Sequence, residues 1–328
     1  MINLTTDPED MKRFASRDDL DALLSGFDGL ELMYLDEDAR DLVAPRQVVG
    51  IHMNHFHYWV DLWNGDERAL LREFGSKEAI ARYYGGTECY DNGTGRDVII
   101  TRLRRDLDAA VRYGAEYVVF HISDAGMRES LTRQFQHTDE EVIRASIEVL
   151  NIVFRNVPPI TLLFENLWHP GLTFLDPEMT KLLFDGVEHP DTGIMLDTGH
   201  LMMMNPALRT EEEAVAFIVS QLGRHDLPGE KSGSFCEKIR GIHLNKSLTG
   251  ETFERYRVNP LALPEDQDAR MAMLYEYIFQ IETHLPFTGT GVRELIEQIA
   301  PDYLVYEFMS RNLKQHQDFL AAQRRSLE

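Results

Sequence analysis

Eight short apolar runs, rich in β-branched and aromatic residues, alternate along the chain with longer stretches of helical periodicity. Short apolar runs of this kind are typical of strands buried on both faces, and their alternation with helices indicates βα units and a parallel sheet. The predicted strands are Ile2 to Thr5, Leu30 to Leu35, Val48 to Met53, Tyr117 to Ile122, Thr161 to Leu167, Ile194 to Asp197, Ile239 to Leu244 and Tyr303 to Phe308. We therefore expect an α/β fold, a single (β/α)8 TIM barrel.

Polar residues mark where several of the intervening helices begin. Acidic residues follow Thr138 and Thr210, and Asp176-Pro177 places proline at a first helical position. Acidic groups in a first turn favour the positive end of the helix dipole, and proline lacks the N–H that a first turn leaves unpaired. These signals predict helices that start at residues 139, 177 and 211.

Two stretches are longer than a minimal βα repeat needs, namely 55–97 and 248–286. In a barrel, long insertions after a strand lie on the face where the active site is built. We predict that they are lids of a site. The chain shows no repeat and no Pro/Ser-rich linker, so we expect one domain over residues 1–328.

Charge and cysteine content narrow the class of protein. The chain has 33 Lys and Arg against 55 Asp and Glu, a formal net charge of −22. This charge repels phosphate backbones and anionic lipid, so we expect a small-molecule substrate and neither a nucleic-acid nor a membrane partner. Cys89 and Cys236 form no CxxC pattern, and no long apolar segment or leader is evident, which predicts a cytoplasmic protein in a reducing compartment.

Candidate chemistry lies where the predicted strands end. Six of these ends carry imidazole or carboxylate groups: His52, His121, Glu165, Asp197 with His200 close behind, His243 and Glu307. So many ionisable groups at one mouth of a barrel are costly to bury unless a cation or substrate satisfies them. Because the donors are oxygen and nitrogen without sulfur, the pattern predicts divalent metal and leaves open Mn²⁺, Mg²⁺, Co²⁺, Fe²⁺ and Zn²⁺.

Several phrases resemble the xylose-isomerase-like TIM barrel superfamily, which contains sugar phosphate isomerases and epimerases and also endonuclease IV. They are Phe27-Asp28-Gly29-Leu30-Glu31-Leu32, Glu165-Asn166, Asp197-Thr198-Gly199-His200, His243-Leu244-Asn245 and Glu307. The resemblance implies that Glu165, Asp197, His243 and Glu307 bind one metal. It further implies a homo-oligomer and an isomerase or epimerase of carbohydrate metabolism, in which Glu165 and Glu307 are the acid/base pair of an enediolate mechanism.

The endonuclease IV branch is the alternative that the resemblance leaves open. It implies further ligands at His52, His121, Glu282 and His284, with up to three zinc ions that activate water to hydrolyse phosphoesters. Four features oppose this alternative. Glu282 stands where that branch has aspartate, Lys246 stands where it has an acid, the segment before His284 is long, and the net charge is negative. A second alternative is a sensor that binds sugar or metal without catalysis.

Residues near the strand ends are candidates for contact with substrate. The interpretation assigns this role to Asn166, Trp168, Asn245, Lys246, His55 and Arg257, and it makes His200 a neighbouring ligand or hydrogen bonder. The arginine that often grips substrate oxygens in the epimerase branch is missing after His243, so Arg255 or Arg257 would replace it if the second insertion folds back. The glycine turn at 288–292 is either an anion site at a helix start or an ordinary turn.

Overall fold

Eight parallel strands form a closed barrel in the computed structural model, which describes residues 1–6, 11–33, 42–54, 56–85, 95–226 and 235–328. The strands are β1 Ile2–Thr5, β2 Leu30–Met33, β3 Val48–His52, β4 Tyr117–His121, β5 Thr161–Glu165, β6 Thr192–Asp197, β7 Ile239–Leu244 and β8 Tyr303–Tyr306. Each strand pairs with its neighbour in sequence, and Ile2 of β1 pairs with Tyr306 of β8 to close the ring. The predicted (β/α)8 barrel is confirmed.

Helices surround this barrel. They are α1 Arg17–Leu23, α2 Val60–Asn64, α3 Glu67–Phe74, α4 Lys77–Tyr83, α5 Gly95–Tyr113, α6 Met127–Thr132, α7 Asp139–Val153, α8 Pro177–Gly186, α9 Thr198–Met203, α10 Glu211–His225, α11 Gly250–Val258, α12 Gln267–Ile281, α13 Gly291–Ile299 and α14 Leu313–Leu327. The predicted starts of α7, α8 and α10 are confirmed. Thr138 and Thr210 each accept a hydrogen bond from the amide three residues on, which satisfies an N–H that the first helical turn leaves unpaired.

The alternation of side chains along each strand separates the two faces of the barrel wall. Tyr117, Val119, Leu163, Met195 and Val305 form a separate apolar cluster, while the residues between them pack into the larger core shared with the helices. Successive side chains of a strand point to opposite faces, so the residue two positions after an inward-facing residue also points inward. In β4, β5 and β6 the residues two positions after Val119, Leu163 and Met195 are ionisable. The inner apolar layer is therefore the floor beneath the polar strand ends.

Several strands are shorter than predicted. Strands β3, β4, β5 and β6 end at their ionisable residue, and Glu307 follows β8 directly. The prediction extended most of these strands past the polar residue because further apolar residues come next. Those residues belong to the loops on the carboxyl side of the barrel, which pack as a buried layer above the strand ends.

The two long insertions are helical where they are described, and they meet each other. The first contributes α2, α3 and α4, and the second contributes α11 and α12. Phe74 and Tyr83 from the first, with Leu274 and Ile278 from the second, line a common apolar pocket. Their role as lids stays a prediction. In the described part of the chain, no helix has both the length and the apolar character needed to cross a membrane.

Candidate metal centre

Four ionisable side chains from four strands converge at the carboxyl end of the barrel. Glu165, Asp197, His243 and Glu307 each offer one ligand atom, and these atoms all lie within 4.8 Å of one another. All four side chains are buried, and Asp197 and His243 are direct partners in the pairing of β6 with β7. The barrel thus gathers residues that are far apart in sequence into a group that can bind a cation.

The imidazole of His243 tests whether this group fits a metal. Its Nε2–H donates to Glu31 Oε1 at 2.9 Å, so Nδ1 is the ring nitrogen that faces the cluster. Burial would lower the pKa of His243, but the Glu307, Glu31 and Glu165 carboxylates outweigh burial and raise the pKa well above its usual value, so Nδ1 carries a proton that a cation would displace. Nδ1 lies 3.4 Å from Glu165 Oε1 and 3.4 Å from Glu307 Oε2, and no described residue donates a hydrogen bond to it. Ligand atoms about 2.0–2.1 Å from a tetrahedral Zn²⁺ lie about 3.3–3.4 Å apart, so the spacing of these atoms fits a divalent cation.

Glu31 is a functional residue that the sequence interpretation missed, although the motif around it was quoted. Its carboxylate also accepts hydrogen bonds from Asn3 Nδ2 at 2.7 Å and from the Tyr117 hydroxyl at 2.8 Å. Burial would raise the pKa of Glu31, but His243 and the other partners outweigh burial and lower the pKa. The ionised carboxylate orients the His243 ring, as carboxylates do beside histidines that bind metals. A single carboxylate in an otherwise apolar strand was the available signal.

A glycine makes room for this network below the metal centre. A Cβ atom at Gly50 would lie 2.1 Å from the ring of Tyr117, which is the partner of Gly50 in the pairing of β3 with β4. Only glycine lets this ring lie across the inside of the barrel. The Tyr117 hydroxyl thereby reaches Glu31.

Glu165 faces histidines with both of its carboxylate oxygens. Oε2 lies 3.0 Å from the Nε2 atoms of both His52 and His121. Oε1 lies 3.4 Å from Nδ1 of His243 and 3.4 Å from Nδ1 of His200. Burial would raise the pKa of Glu165, but His121 and His243 outweigh it and hold the pKa well below its usual value. An ionised carboxylate placed in this way is able to bridge two cations.

Three groups of potential ligands therefore meet at Glu165 and Asp197. One is Glu165 with His52 and His121, the second is the group of four described above, and the third is Asp197 with His200 and His284. The donor set is again nitrogen and oxygen, which suits Zn²⁺ or Mn²⁺. The sequence predicted nine possible ligands, four for one metal and five additional ones. The structure brings eight of them into these groups, whereas Glu282 lies outside the 4.8 Å groups.

Glu282 and His284 differ in what surrounds them. Neither ring nitrogen of His284 has a hydrogen-bond partner among the described residues, and its backbone adopts the left-handed region at φ 40°. A strained backbone and two unsatisfied buried nitrogens are consistent with a ligand that awaits a cation. The carboxylate of Glu282 instead accepts a hydrogen bond from Trp168 Nε1, and burial raises its pKa.

Burial and the neighbouring charges shift the pKa values of the cluster in opposite directions. Burial lowers the pKa of His121 and of His284 to about 4, which leaves their lone pairs available at neutral pH. Burial would lower the pKa of His200 as well, but the Asp197 and Glu165 carboxylates outweigh it and raise the pKa to about 10. Burial raises the pKa of Glu307 well above its usual value. Protons thus balance the carboxylates of the free side chains, and a cation would displace those protons.

Two predicted substrate contacts hold Asp197 in place. Asn166 accepts a hydrogen bond from the Asp197 amide at 2.9 Å and donates to the Asp197 carbonyl at 3.0 Å. Asn245 Nδ2 donates to Asp197 Oδ2 at 2.7 Å, while Asp197 Oδ1 accepts the His200 amide at 2.6 Å and so caps α9. Asn166 thus holds the backbone of Asp197, and one hydrogen bond to each carboxylate oxygen orients the side chain for a cation.

The basic residues predicted to contact substrate have other partners. Lys246 forms an ion pair with Glu211, and the exposed Arg257 forms one with Glu254. Arg255 donates to Gln280 at 2.8 Å and stacks on Tyr256. The second insertion therefore does not turn its arginines toward the cluster. His55 lies outside the described residues.

The glycine turn before α13 binds an anion that the chain supplies itself. The Glu211 carboxylate accepts hydrogen bonds from the Thr288 amide at 3.0 Å, from the Thr288 hydroxyl at 2.8 Å and from the Gly289 amide at 2.6 Å. Of the two interpretations that the sequence left open, these contacts favour an ordinary turn, because an internal carboxylate occupies its amides.

Comparison with solved structures finds many barrels of the same architecture. An endonuclease IV from Thermus thermophilus is 16% identical over 99% of this chain and 97% of that one, with a TM-score of 0.54. An L-ribulose 3-epimerase is 14% identical over 99% and 94%, with a TM-score of 0.50. An IOLI protein solved with a zinc atom is 14% identical over 99% and 95%, also with a TM-score of 0.50. Identities this low show a common fold only.

Comparison with curated proteins finds none that matches this sequence. A family model described as the xylose isomerase-like TIM barrel matches residues 21–294. That match spans most of the chain and includes every strand from β2 to β7. The chain belongs to the xylose isomerase-like TIM barrel family.

Proposed function

We propose that this protein is a metal-dependent hydrolase of small phosphoesters with a multinuclear divalent-metal centre. The observation that carries the proposal is the two-sided environment of Glu165, whose Oε2 faces His52 and His121 while its Oε1 faces His243 and His200. A centre for a single ion would use one side of this carboxylate and leave the remaining buried imidazoles without a role.

Some residues of such a centre would hold the ions, and others position these ligands. Glu165 and Asp197, each of which belongs to two of the ligand groups, would hold the ions together with the neighbouring imidazoles. Bound divalent ions supply an activated water and neutralise charge on phosphate oxygens. Glu31 keeps Nδ1 of His243 directed into the cluster, and Asn245 holds the Asp197 carboxylate against rotation. The net charge of −22 favours a small substrate over a polyanionic nucleic acid.

The isomerase or epimerase, which the sequence resemblance put first, is here the second candidate, and the position of His243 supports it. Its Nδ1 lies 3.4 Å from both Glu165 and Glu307, so two carboxylates flank one ligand position. Two carboxylates on either side of a sugar carbon can remove a proton and return it while the metal stabilises an enediolate. This reaction needs fewer of the buried histidines than the protein provides.

A metal count combined with two assays separates these candidates. We expect purified protein to hold about two or three zinc or manganese ions per chain and to hydrolyse bis-p-nitrophenyl phosphate or p-nitrophenyl phosphate. Glu165→Gln should lose its bound metal and its activity, whereas the exposed control Arg257→Met should keep its metal and its activity. About one exchangeable ion, with solvent deuterium entering a ketose, would establish the isomerase instead. Tight metal or sugar binding without turnover in either assay would establish a sensor.

A further inference from the structure

Arg133, a partly buried cation near the metal centre, has no carboxylate partner in the part of the chain that the structure describes. Arg133 follows α6 and lies with its guanidinium carbon 4.4 Å from the ring centroid of Phe253 and 5.4 Å from that of Trp168. Among the described residues none accepts a hydrogen bond from Arg133 or forms an ion pair with it. Burial lowers the pKa of this guanidinium, and of its surroundings only Tyr277 contributes a compensating interaction.

The isolation of Arg133 is unusual in a chain that carries 55 acidic residues. Other cations that are largely shielded from solvent have acidic partners, such as Lys246 with Glu211 and Arg240 with Asp191 and Asp302. Aromatic faces stabilise a guanidinium by about 0.5–2 kcal/mol but leave its five N–H donors at the edge without acceptors. A partly desolvated fork of donors is the group that binds carboxylate or phosphate in a bidentate manner.

The surroundings of Arg133 place it beside the metal centre. Trp168 comes from the loop that follows Glu165, and its indole N–H donates to Glu282 next to the third ligand group. Phe253 belongs to α11, in the insertion 248–286. His169, adjacent to Trp168, has a pKa that burial and nearby cationic groups, including Arg133, lower. Arg133 is thus held between a strand-end loop and a predicted lid.

The backbone of Arg133 supports a role beyond the end of a helix. Arg133 has φ 56°, a left-handed conformation in which glycine is the usual residue. A non-glycine residue there costs about 1 kcal/mol or more, and such positions concentrate at functional sites. The conformation directs the side chain onto the two aromatic rings.

We propose that Arg133 binds an oxyanion of the substrate, a phosphate or carboxylate group remote from the bond that reacts at the metals. The proposal rests on the proposed function for the type of substrate, while the anion site itself depends only on Arg133 and its aromatic neighbours. Arg133 then takes the role that the sequence interpretation gave to Arg255 or Arg257. The site selects a small substrate that carries a second anionic group.

Anion titrations of metal-loaded protein test this proposal. Inorganic phosphate and, separately, acetate are titrated by calorimetry into the wild type, Arg133→Met, Arg133→Lys and the control Arg257→Met. We expect Arg133→Met to weaken binding of the preferred anion about tenfold or more, with metal content and melting temperature retained, and Arg133→Lys to weaken it less. Arg257→Met should match the wild type.

The outcomes distinguish this proposal from the proposed function. An unchanged affinity in Arg133→Met, with phosphate binding lost only in His243→Ala, would mean that the metals alone hold the anion and would overturn the proposal. If the wild type hydrolyses neither nitrophenyl ester but Arg133→Met still binds the anion more weakly than the wild type, the hydrolase is rejected and the anion site is kept. With an active substrate, Arg133→Met should raise KM more than it lowers kcat.

Discussion

His243 and Glu31 form a buried imidazole–carboxylate pair in which Nε2–H donates to Oε1 at 2.9 Å. Glu31→Gln keeps the shape of the side chain but removes its charge, so the imidazole is free to adopt the other tautomer. We expect metal affinity to fall about 10- to 100-fold without loss of the fold. Competition with a chromogenic chelator measures this change. Tyr117→Phe, which removes one hydrogen bond to Glu31, should have a smaller effect, and an equal effect would argue against the charge as the cause.

Gly199 and Asn245 approach each other so closely that no side chain fits between them. A Cβ atom at Gly199 would lie 1.8 Å from Asn245 Oδ1, and Asn245 holds the Asp197 carboxylate. Gly199→Ala should therefore lower the free energy of unfolding by about 1–3 kcal/mol and weaken metal binding. Urea denaturation and chelator competition check both effects.

The matched control for Gly199→Ala is Gly223→Ala. Gly223 lies within α10, and a Cβ atom there meets nothing within 4 Å. Because alanine is a better helix former than glycine, this variant should be more stable by about 0.5–1 kcal/mol. Equal losses of stability in both variants would contradict the steric explanation.

Glu211 ties the glycine turn before α13 to Lys246 at the end of β7. Glu211→Gln removes a charged acceptor of several hydrogen bonds, which contribute about 1.5–3 kcal/mol when a partner is ionised. We expect a lower urea midpoint and faster amide hydrogen exchange at Thr288 and Gly289. The exposed neighbour Glu212→Gln should behave like the wild type, and a similar loss there would show that overall charge is responsible.

His137 should make stability depend on pH through its ion pair with Asp61. Its Nε2 lies 3.3 Å from Asp61 Oδ1, and Asp61 raises the pKa of His137 from 6.5 to about 9. A raised pKa in the folded state means that the protonated form stabilises the fold. This contribution is complete below pH 6.5 and is lost as the pH rises through about 9.

Denaturant unfolding of the wild type and His137→Gln across this range checks the sign. The difference in unfolding free energy between the two proteins should be largest on the acidic side and should shrink toward pH 9 and above. A difference that grows with pH would mean that His137 is neutral in the folded protein.

The strands and the convergence of their ends were predictable because both follow from local patterns. A buried strand is a short apolar run, and parallel strands of one barrel end at the same face, so the order of His52, His121, Glu165 and Asp197 was sufficient to place them together. The strand limits were less predictable, since apolar loop residues continue the pattern beyond the strand.

The roles of three residues could not be predicted from the sequence, chiefly because their contacts are with residues distant in sequence. Lys246 and Glu211 form an ion pair that no local motif indicates, and Lys246 was therefore assigned to substrate. Glu31 lies within its strand instead of at the strand end, so the rule that found the other carboxylates passed over it. Arg133 was overlooked because its aromatic neighbours come from two distant segments, the loop after β5 and helix α11.

The distribution of ligands around the ring couples occupancy of the centre to assembly of the whole barrel. Donor atoms from β3 to β7 and from Glu307 beyond β8 come within bonding distance of common ions only when every intervening strand pair has formed. A bound cation would therefore favour the assembled ring over any partly open form. For each ion that binds only the folded barrel, a tenfold rise in free ion above saturation would then add about 1.4 kcal/mol to the stability of all eight strands together.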